Sequence, residues 1–298
     1  MAVDCEPLRR FLRAHRPGDA APGPDPLLTV AAVCAAPEAP YVVPVLHPRA
    51  PKPVLSAAAQ VAARHLHGVL VRLAIGPRGL DRRATERALS GQLHTVGVPF
   101  RAADLVLDAG YVPDGGSVSA LLAVVDRALT WLTDLPWRSV TLAAGSFPES
   151  VRGLRGPQPW AVPRWEVALW RTVCLPRPEA HVGFGDYGIT HPHREGAPSG
   201  VPGRPHPHLR YTAGDDWRVW RYPRQKDDDT AFLDICRDVV RSPHWPVTGA
   251  ATSWGDLQLR RRSDGVTNRP GNATKWLAWG TSHHVETVVR HLSDAEAR

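Results

Sequence analysis

Lysine, cysteine and uninterrupted apolar sequence are what this chain has least of, and each shortage excludes a class of protein. Of the 36 basic residues only Lys52, Lys226 and Lys275 are lysine. The rest are arginine, and alongside 30 prolines they mark a GC-rich coding bias rather than a surface selected for DNA. The net charge of +7 permits an anionic ligand. No basic run exceeds Arg260, Arg261 and Arg262, so nucleic acid is not the expected partner. The cysteines (Cys5, Cys34, Cys174, Cys236) are scattered and form no metal-ligand pair, the pattern of free thiols in a reducing compartment. No apolar run reaches the roughly 18 residues of a membrane span. Met1 to Arg16 carries charges where a secretory signal needs an apolar core. A cytoplasmic protein without membrane association is expected.

What is present is ample core material, 43% hydrophobic over 298 residues. Leu8 to Ala14 has a short helical pattern, and the Pro/Gly-rich Arg16 to Pro26 can hold neither helix nor central strand. Residues 1–40 therefore read as an N-terminal extension and linker, and 41–298 as a single α/β barrel-like domain. Leu27 to Val33, Tyr41 to Leu46, Val69 to Ile75, Asp104 to Asp108 and Ser139 to Ala144 are the expected strands. Helical patterns over Val54 to Leu66, Arg82 to Thr95, Val118 to Leu132 and Trp165 to Leu175 separate them. Apolar strands alternating with helices imply parallel strands buried on both faces. No Gly-rich phosphate loop of the Rossmann or P-loop kind follows any of them, which favours a barrel over an open doubly wound sheet. The second half departs from that alternation: Leu209 to Thr212 and Trp217 to Tyr222 flank a turn at Ala213 to Asp216, an antiparallel hairpin. Ala231 to Val240 and Lys275 to Leu292 read as closing helices, the second packing Val285, Val288, Val289 and Leu292 into the core.

Several unusual strings occur in order. They are Ala144-Gly145-Ser146-Phe147-Pro148, Trp165-Glu166-Val167-Ala168-Leu169-Trp170, Gly185-Asp186-Tyr187-Gly188-Ile189-Thr190-His191-Pro192 and Leu209-Arg210-Tyr211-Thr212. Then come Ser253-Trp254-Gly255-Asp256, Gly271-Asn272-Ala273-Thr274-Lys275-Trp276 and Gly280-Thr281-Ser282-His283-His284. Together, over roughly Tyr41 to Leu292, the chain resembles the Beta protein family of bacteria and phages. The resemblance brings no reaction with it. It implies a longer front than this chain has, so an incomplete or distorted TIM-type barrel is expected, closed by the N-terminal segment or by a protein partner. Ser282 and Lys275 stand where the resemblance implies asparagine and threonine.

In parallel α/β folds, ligands gather at the C-terminal ends of the strands. That rule would bring Asp108, Ser146, Asp186, Arg210 and Tyr211 to one mouth. Asp108, Asp186 and His283 are the expected catalytic residues. Ser146, Tyr187, His191, Arg210, Tyr211, Asp256, Asn272, Lys275 and Trp276 are the expected ligand-binding ones. Several have a structural alternative. Asp108 could cap a turn, and Ser146 with Glu149 makes a capping box. Ser253 with Asp256, and Asn272, suit helix N-termini, and tryptophans such as Trp276 suit packing. His283 and His284 lie about 100° apart on a helix, one packing and His283 reaching the mouth. Asp186→Ala and His283→Ala are accordingly expected to leave folding intact. Asp186 and His191 could hold zinc or manganese, although the His-Pro-His triplets at His191 and His206 suit a loop equally. No motif specifies a metal or cofactor. Two functions follow: a pocket for a small anionic or nucleotide-like ligand, or a non-catalytic subunit of a multi-protein bacterial system such as phage defence.

Overall fold

The computed structural model describes residues 1–9, 25–34, 39–154, 158–192, 206–223 and 230–296. The protein is a mixed α/β fold that divides into two compact units, Met1–Ala144 with Ala168–Asp186, and Gly145–Val167 with Tyr187–Arg298.

The first unit is built on six parallel strands: β1 (Ala2–Val3), β2 (Val43–Leu46), β3 (Val69–Ala74), β4 (Ala103–Tyr111), β5 (Ser139–Gly145) and β7 (Val182–Asp186). Between them run helices α1 (Pro26–Val33), α2 (Lys52–His65), α3 (Arg82–Val96), α4 (Gly115–Leu132) and α5 (Trp165–Cys174). The strands follow one another across the sheet in chain order. Right-handed crossovers in that order keep the helices on one face and curl the sheet into a half-barrel. A TIM-type ring needs eight strands; among the described residues this sheet has six.

The pleat sorts the residues. Val69, Val71 and Leu73, like Leu105 and Leu107, are buried, while Leu70, Arg72 and Val106 between them are half-buried. Burying each such aliphatic side chain stabilises by about 1.5–3 kcal/mol. The register pairs Arg72 with Val106 and Ala74 with Asp108, so Arg72 and Asp108 share the more open face.

The second unit holds an antiparallel sheet in the order β6 (Trp160–Pro163), β9 (Asp216–Arg221), β8 (His208–Ala213). On one face Leu209, Tyr211 and Trp220 join a core with Phe232, Ile235, Val239, Leu259, Trp276 and Trp279 from α6 (Ala231–Arg241), α7 (Trp254–Ser263) and α8 (Ala273–Glu296). On the other, Val162, Trp217 and Val219 pack with Phe147, Val151 and Ile189. This sheet, with both faces covered and its own helices, builds the core of the second unit.

Most expected elements are present within a few residues. Leu27 to Val33 is the exception: it is helix, not strand. Asp25 caps it by accepting from the Leu27 N–H at 2.9 Å, and Pro26 opens it with a preset φ. A short apolar run has no period that separates the two states. Residues 1–40 also do more than extend the chain, because β1 pairs in parallel with β2 through Ala2–Val43 and Val3–Pro44. The helical pattern expected at Leu8 to Ala14 and the linker expected at Arg16 to Pro26 fall largely on 10–24, outside the described residues. Val285 and Val289, expected in the core, are 55% and 53% exposed.

Candidate functional site

On the first unit, four ionisable side chains from four adjacent strands meet near the C-terminal ends. Asp4 follows β1, His47 follows β2, Arg72 lies in β3 and Asp108 in β4. The Arg72 guanidinium donates to Asp108 Oδ2 from Nε at 2.8 Å and to Asp4 Oδ2 from Nη1 at 3.1 Å. His47 Nε2 lies 2.9 Å from Asp4 Oδ2. Burial pushes the Asp4 carboxyl up, but the His47 hydrogen bond, the Glu6 backbone N–H and the charges of His47 and Arg72 outweigh it and hold it at about 2. Asp108 also accepts from the Gly110 N–H at 2.9 Å, so the turn-capping role and the place beside Arg72 coexist. The strand runs on to Tyr111, so Asp108 is within it rather than at its end. Asp186 is the last residue of β7, paired with Ala144 of β5. One strand separates it from Asp108, about 10 Å of sheet.

In the second unit the structure brings Tyr211, Asp256 and His283 together. The Tyr211 O–H donates to Asp256 Oδ1 at 2.7 Å, and His283 Nδ1 lies 2.9 Å from Asp256 Oδ2. Ser253 Oγ donates to Oδ2 at 2.7 Å and caps α7 by accepting from the Asp256 N–H. His283 Nε2 faces the Thr212 carbonyl at 2.9 Å, and the two aromatic rings stack 3.7 Å apart. Both ring nitrogens of His283 are therefore taken up by polar partners inside the core. Thr287 Oγ, 3.2 Å from Nε2, spends its hydrogen on the His283 carbonyl. Burial first, then the Asp256 charge and hydrogen bond, push the Tyr211 phenol far above its ordinary value. His284 Nδ1 pairs with Thr212 Oγ1 at 2.8 Å. Tyr211 and Asp256 are 0% exposed, His283 3% and His284 2%. Both histidines therefore pack, and His283 does not reach solvent.

Beside this network a cavity of about 250 Å³ opens, lined by Ile189, His208, Arg210, Ala273, Thr274, Trp276 and Leu277. Arg210 shares its face of β8 with His208, opposite Leu209 and Tyr211. Its guanidinium donates to the Ile189 carbonyl at 2.7 Å and lies 4.5 Å over the Phe147 ring. Ala273 and Thr274 open α8, where backbone N–H groups have no partner within the helix. Asn272 caps that end by accepting from the Lys275 N–H at 3.0 Å. Trp276 is fixed by Nε1 donation to the Pro270 carbonyl at 2.7 Å and by stacking on Phe232. Arginine and a helix N-terminus on one cavity make a positive site.

The family model described as Beta protein matches residues 7–290, nearly the whole chain. The chain belongs to the Beta protein family. Comparison with curated proteins and with solved structures found no match.

The geometry explains much of what the family strings contain in this Beta protein family member. Gly255 and Gly280 let backbones meet: a Cβ at the first would lie 2.0 Å from the Trp279 carbonyl oxygen, and at the second 2.5 Å from that of Arg210. Ser282 Oγ accepts from the Gly255 N–H at 3.1 Å and ties α8 to α7. Ser146 is buried; its Oγ lies 2.5 Å from Glu166 Oε2 and accepts from the Trp165 N–H at 3.0 Å. It therefore caps α5 rather than pairing with Glu149. Glu166 in turn holds the buried Arg164 at 2.9 Å. Tyr187 packs beside Gly145, and its carbonyl accepts from Thr190 Oγ1 at 3.0 Å. His191 is half-buried and belongs to the second unit, whereas Asp186 belongs to the first. Among the described residues no three His, Cys, Asp or Glu side chains gather as metal ligands. Arg210 and Tyr211 lie in an antiparallel strand and so do not end parallel ones. Lys275 is exposed and does not line the cavity.

Sequence reasoning missed Asp4, His47 and Arg72. The rule that picked Asp108 applies to them: Asp4 and His47 directly follow short apolar strands, and Arg72 interrupts Val69 to Ala74.

Proposed function

We propose that this protein binds a small anionic ligand in the cavity beside Arg210. The observation that carries the reading is the convergence of the Arg210 guanidinium and the first residues of α8, Ala273 and Thr274, on one cavity wall. Arginine offers a planar fork of donors matched to phosphate or carboxylate, and helix N–H groups add a second set. Size limits the ligand. Pockets that enclose drug-sized molecules run from about 300 to 1,000 Å³, and this one is about 250 Å³. It suits the anionic head of a small molecule better than a whole nucleotide. The buried Tyr211–Asp256–His283 network acts behind the wall, holding α8 against β8, rather than on the ligand. The half-barrel is, on this reading, a reduced TIM-type barrel in a cytoplasmic protein; no described helix is long and apolar enough to cross a membrane. Isothermal titration with inorganic phosphate and with AMP tests the proposal. Binding of either that falls at least tenfold in Arg210→Ala supports it; no heat from either, or equal binding by the variant, refutes it.

A second reading has one observation in its favour. Trp254 and Leu257 on α7 and Val285 and Val289 on α8 are 43–55% exposed, and Val247 is fully exposed. An apolar set of that kind on two packed helices suits a non-catalytic subunit of a multi-protein bacterial system, phage defence included. Loss of a co-purifying partner in Trp254→Ser with Val289→Ser, with phosphate binding retained, would favour it.

A further inference from the structure

A cleft of about 630 Å³ lies wholly within the first unit, between the turn after β3, the start of α3 and the C-terminal half of α4. We infer that it binds a nucleoside monophosphate, with the phosphate on Arg78 and Arg127 and the base on the apolar wall. None of its residues belongs to the cavity beside Arg210, so the two sites stand or fall separately.

The walls follow from local sequence. Gly76-Pro77-Arg78-Gly79 turns the chain, the Gly79 N–H donating to the Gly76 carbonyl at 2.8 Å. Pro77 presets φ at the second position of that turn, and Gly79 takes a φ of +69°, which a side chain would strain. A Cβ at Gly79 would lie 3.7 Å from Val124 Cγ1, so the turn is seated on α4 and carries Arg78 at its corner. Asp81 then caps α3 by accepting from the Ala84 N–H at 2.7 Å, which starts the helix at Arg82. Along α4, Val124, Ala128 and Trp131 recur at the four- and three-residue spacing of one helix face. With Leu80 they make the apolar wall; Ala128 and Trp131 are buried, Leu80 and Val124 half-buried. Arg127, three residues after Val124 and four before Trp131, borders that face.

Charge selects the ligand. Three guanidiniums and one carboxylate line the cleft: Arg78, Arg82, Arg127 and Asp126. Arg82 is held by Glu86 at 2.8 Å, its guanidinium 5.8 Å over the Trp131 ring. Asp126 is paired with Arg177. Those two pairs balance. The side chains of Arg78 and Arg127 are exposed, and neither makes a hydrogen bond or ion pair among the described residues. Two unmatched guanidiniums on one cleft attract a doubly charged anion, and their planar forks match phosphate oxygens.

Size and acceptors narrow the class. Cavities that enclose small organic ligands run from about 300 to 1,000 Å³, and this one has room for sugar and base as well as phosphate. The apolar wall suits the face of a base. Thr130 Oγ1 donates to the Asp126 carbonyl at 2.9 Å, so its lone pairs, like the Asp126 carboxylate, are acceptors at the cleft. Acceptors suit ribose hydroxyls and base amino groups and oppose further carboxylates, which sets a nucleotide ahead of an acidic peptide.

The test is titration of the full chain with AMP, read at the amide chemical shifts of Gly79 and Val124. Saturable shifts are expected, with half-saturation roughly tenfold or more below that of adenosine or ribose 5-phosphate, because each carries only part of the ligand. Arg78→Ala with Arg127→Ala should weaken AMP roughly tenfold or more, and lysine at both positions should restore part of the loss. Ala123→Trp, at an exposed position, keeps every charge but fills the cleft, and should abolish the shifts. Arg210→Ala should leave them unchanged, which separates this site from the other. Circular dichroism checks the fold of each variant. Absent shifts at Gly79 and Val124, equal binding by the double alanine or the Ala123→Trp variant, phosphate or ribose 5-phosphate binding as tightly as AMP, or tighter binding of hexaglutamate would each overturn the inference.

Discussion

Asp256→Asn tests the buried network with almost no change of shape. Three donors converge on this carboxylate: the Tyr211 O–H, the Ser253 O–H and His283 Nδ1–H. Asparagine keeps one oxygen but turns the other acceptor into an NH₂ donor, so at least one of the three meets a donor. It also removes the carboxylate that faces His283 Nδ1, on a ring that is 3% exposed. Leaving a buried hydrogen-bonding group unpaired costs about 1–3 kcal/mol, and more where a charged partner is lost. Domains of ordinary stability hold about 5–15 kcal/mol in total, so the second unit should lose a large part of its margin. Urea unfolding followed by tryptophan fluorescence reports it, since Trp217, Trp220, Trp276 and Trp279 all lie in that unit. At a slope of a few kcal/mol per molar, the midpoint should fall by about 1–2 M. Tyr211→Phe, which removes one donor, should cost about 1.5–3 kcal/mol. The double variant should cost less than the sum, because both act on one carboxylate. An Asp256→Asn midpoint within about 0.2 M of the parent would refute the reasoning, since surface changes are of that order.

Three further outcomes follow. His283→Ala should lower stability rather than leave folding intact, since both ring nitrogens are bonded in the core; an unchanged urea midpoint contradicts this. Gly280→Val should cost about 3 kcal/mol or more, because its Cβ would lie 2.5 Å from the Arg210 carbonyl oxygen, a backbone atom that cannot move alone; an unshifted midpoint would contradict the close approach of α8 and β8. Asp4 is held at about 2 against an ordinary 3.8. A depressed carboxyl stabilises the fold above the ordinary value and loses that contribution as pH falls toward 2. Between pH 4 and 2 the parent should therefore lose about 1–2 kcal/mol more than Asp4→Asn, after allowance for solvent screening; parallel acid-unfolding curves would be the contrary result.

How much of this was legible beforehand depends on the kind of signal. Strands β3, β4 and β5 and the helices between them follow from apolar period, because each is long enough for the pattern to repeat. The hairpin of β8 and β9 follows from Gly214-Asp215 between apolar runs. Leu27 to Val33 could not be read so, because so short a run without a period fits either state and only the Asp25 cap and Pro26 decide it. Strand β6, with four residues ending in Pro163, is too short to register and exists because it pairs with β9. Among site residues, Asn272 and Ser253 were recognisable as caps from local spacing. The partnerships of Ser146 with Glu166 and of Asp256 with Tyr211 join residues 20 and 45 apart. Nothing in local sequence marks pairs that only the fold brings together. His283 looked reactive for the same reason: a histidine in a polar string has no sequence signature that separates a core ring from an exposed base.

The central claim is that an anion sits between Arg210 and the first turn of α8. Amide chemical shifts recorded during titration with inorganic phosphate address it most directly, because the Ala273 and Thr274 N–H groups would face the ligand. Saturable shifts at those two amides, abolished in Arg210→Ala, are the predicted result. Shifts absent there, or unchanged in the variant, would contradict it.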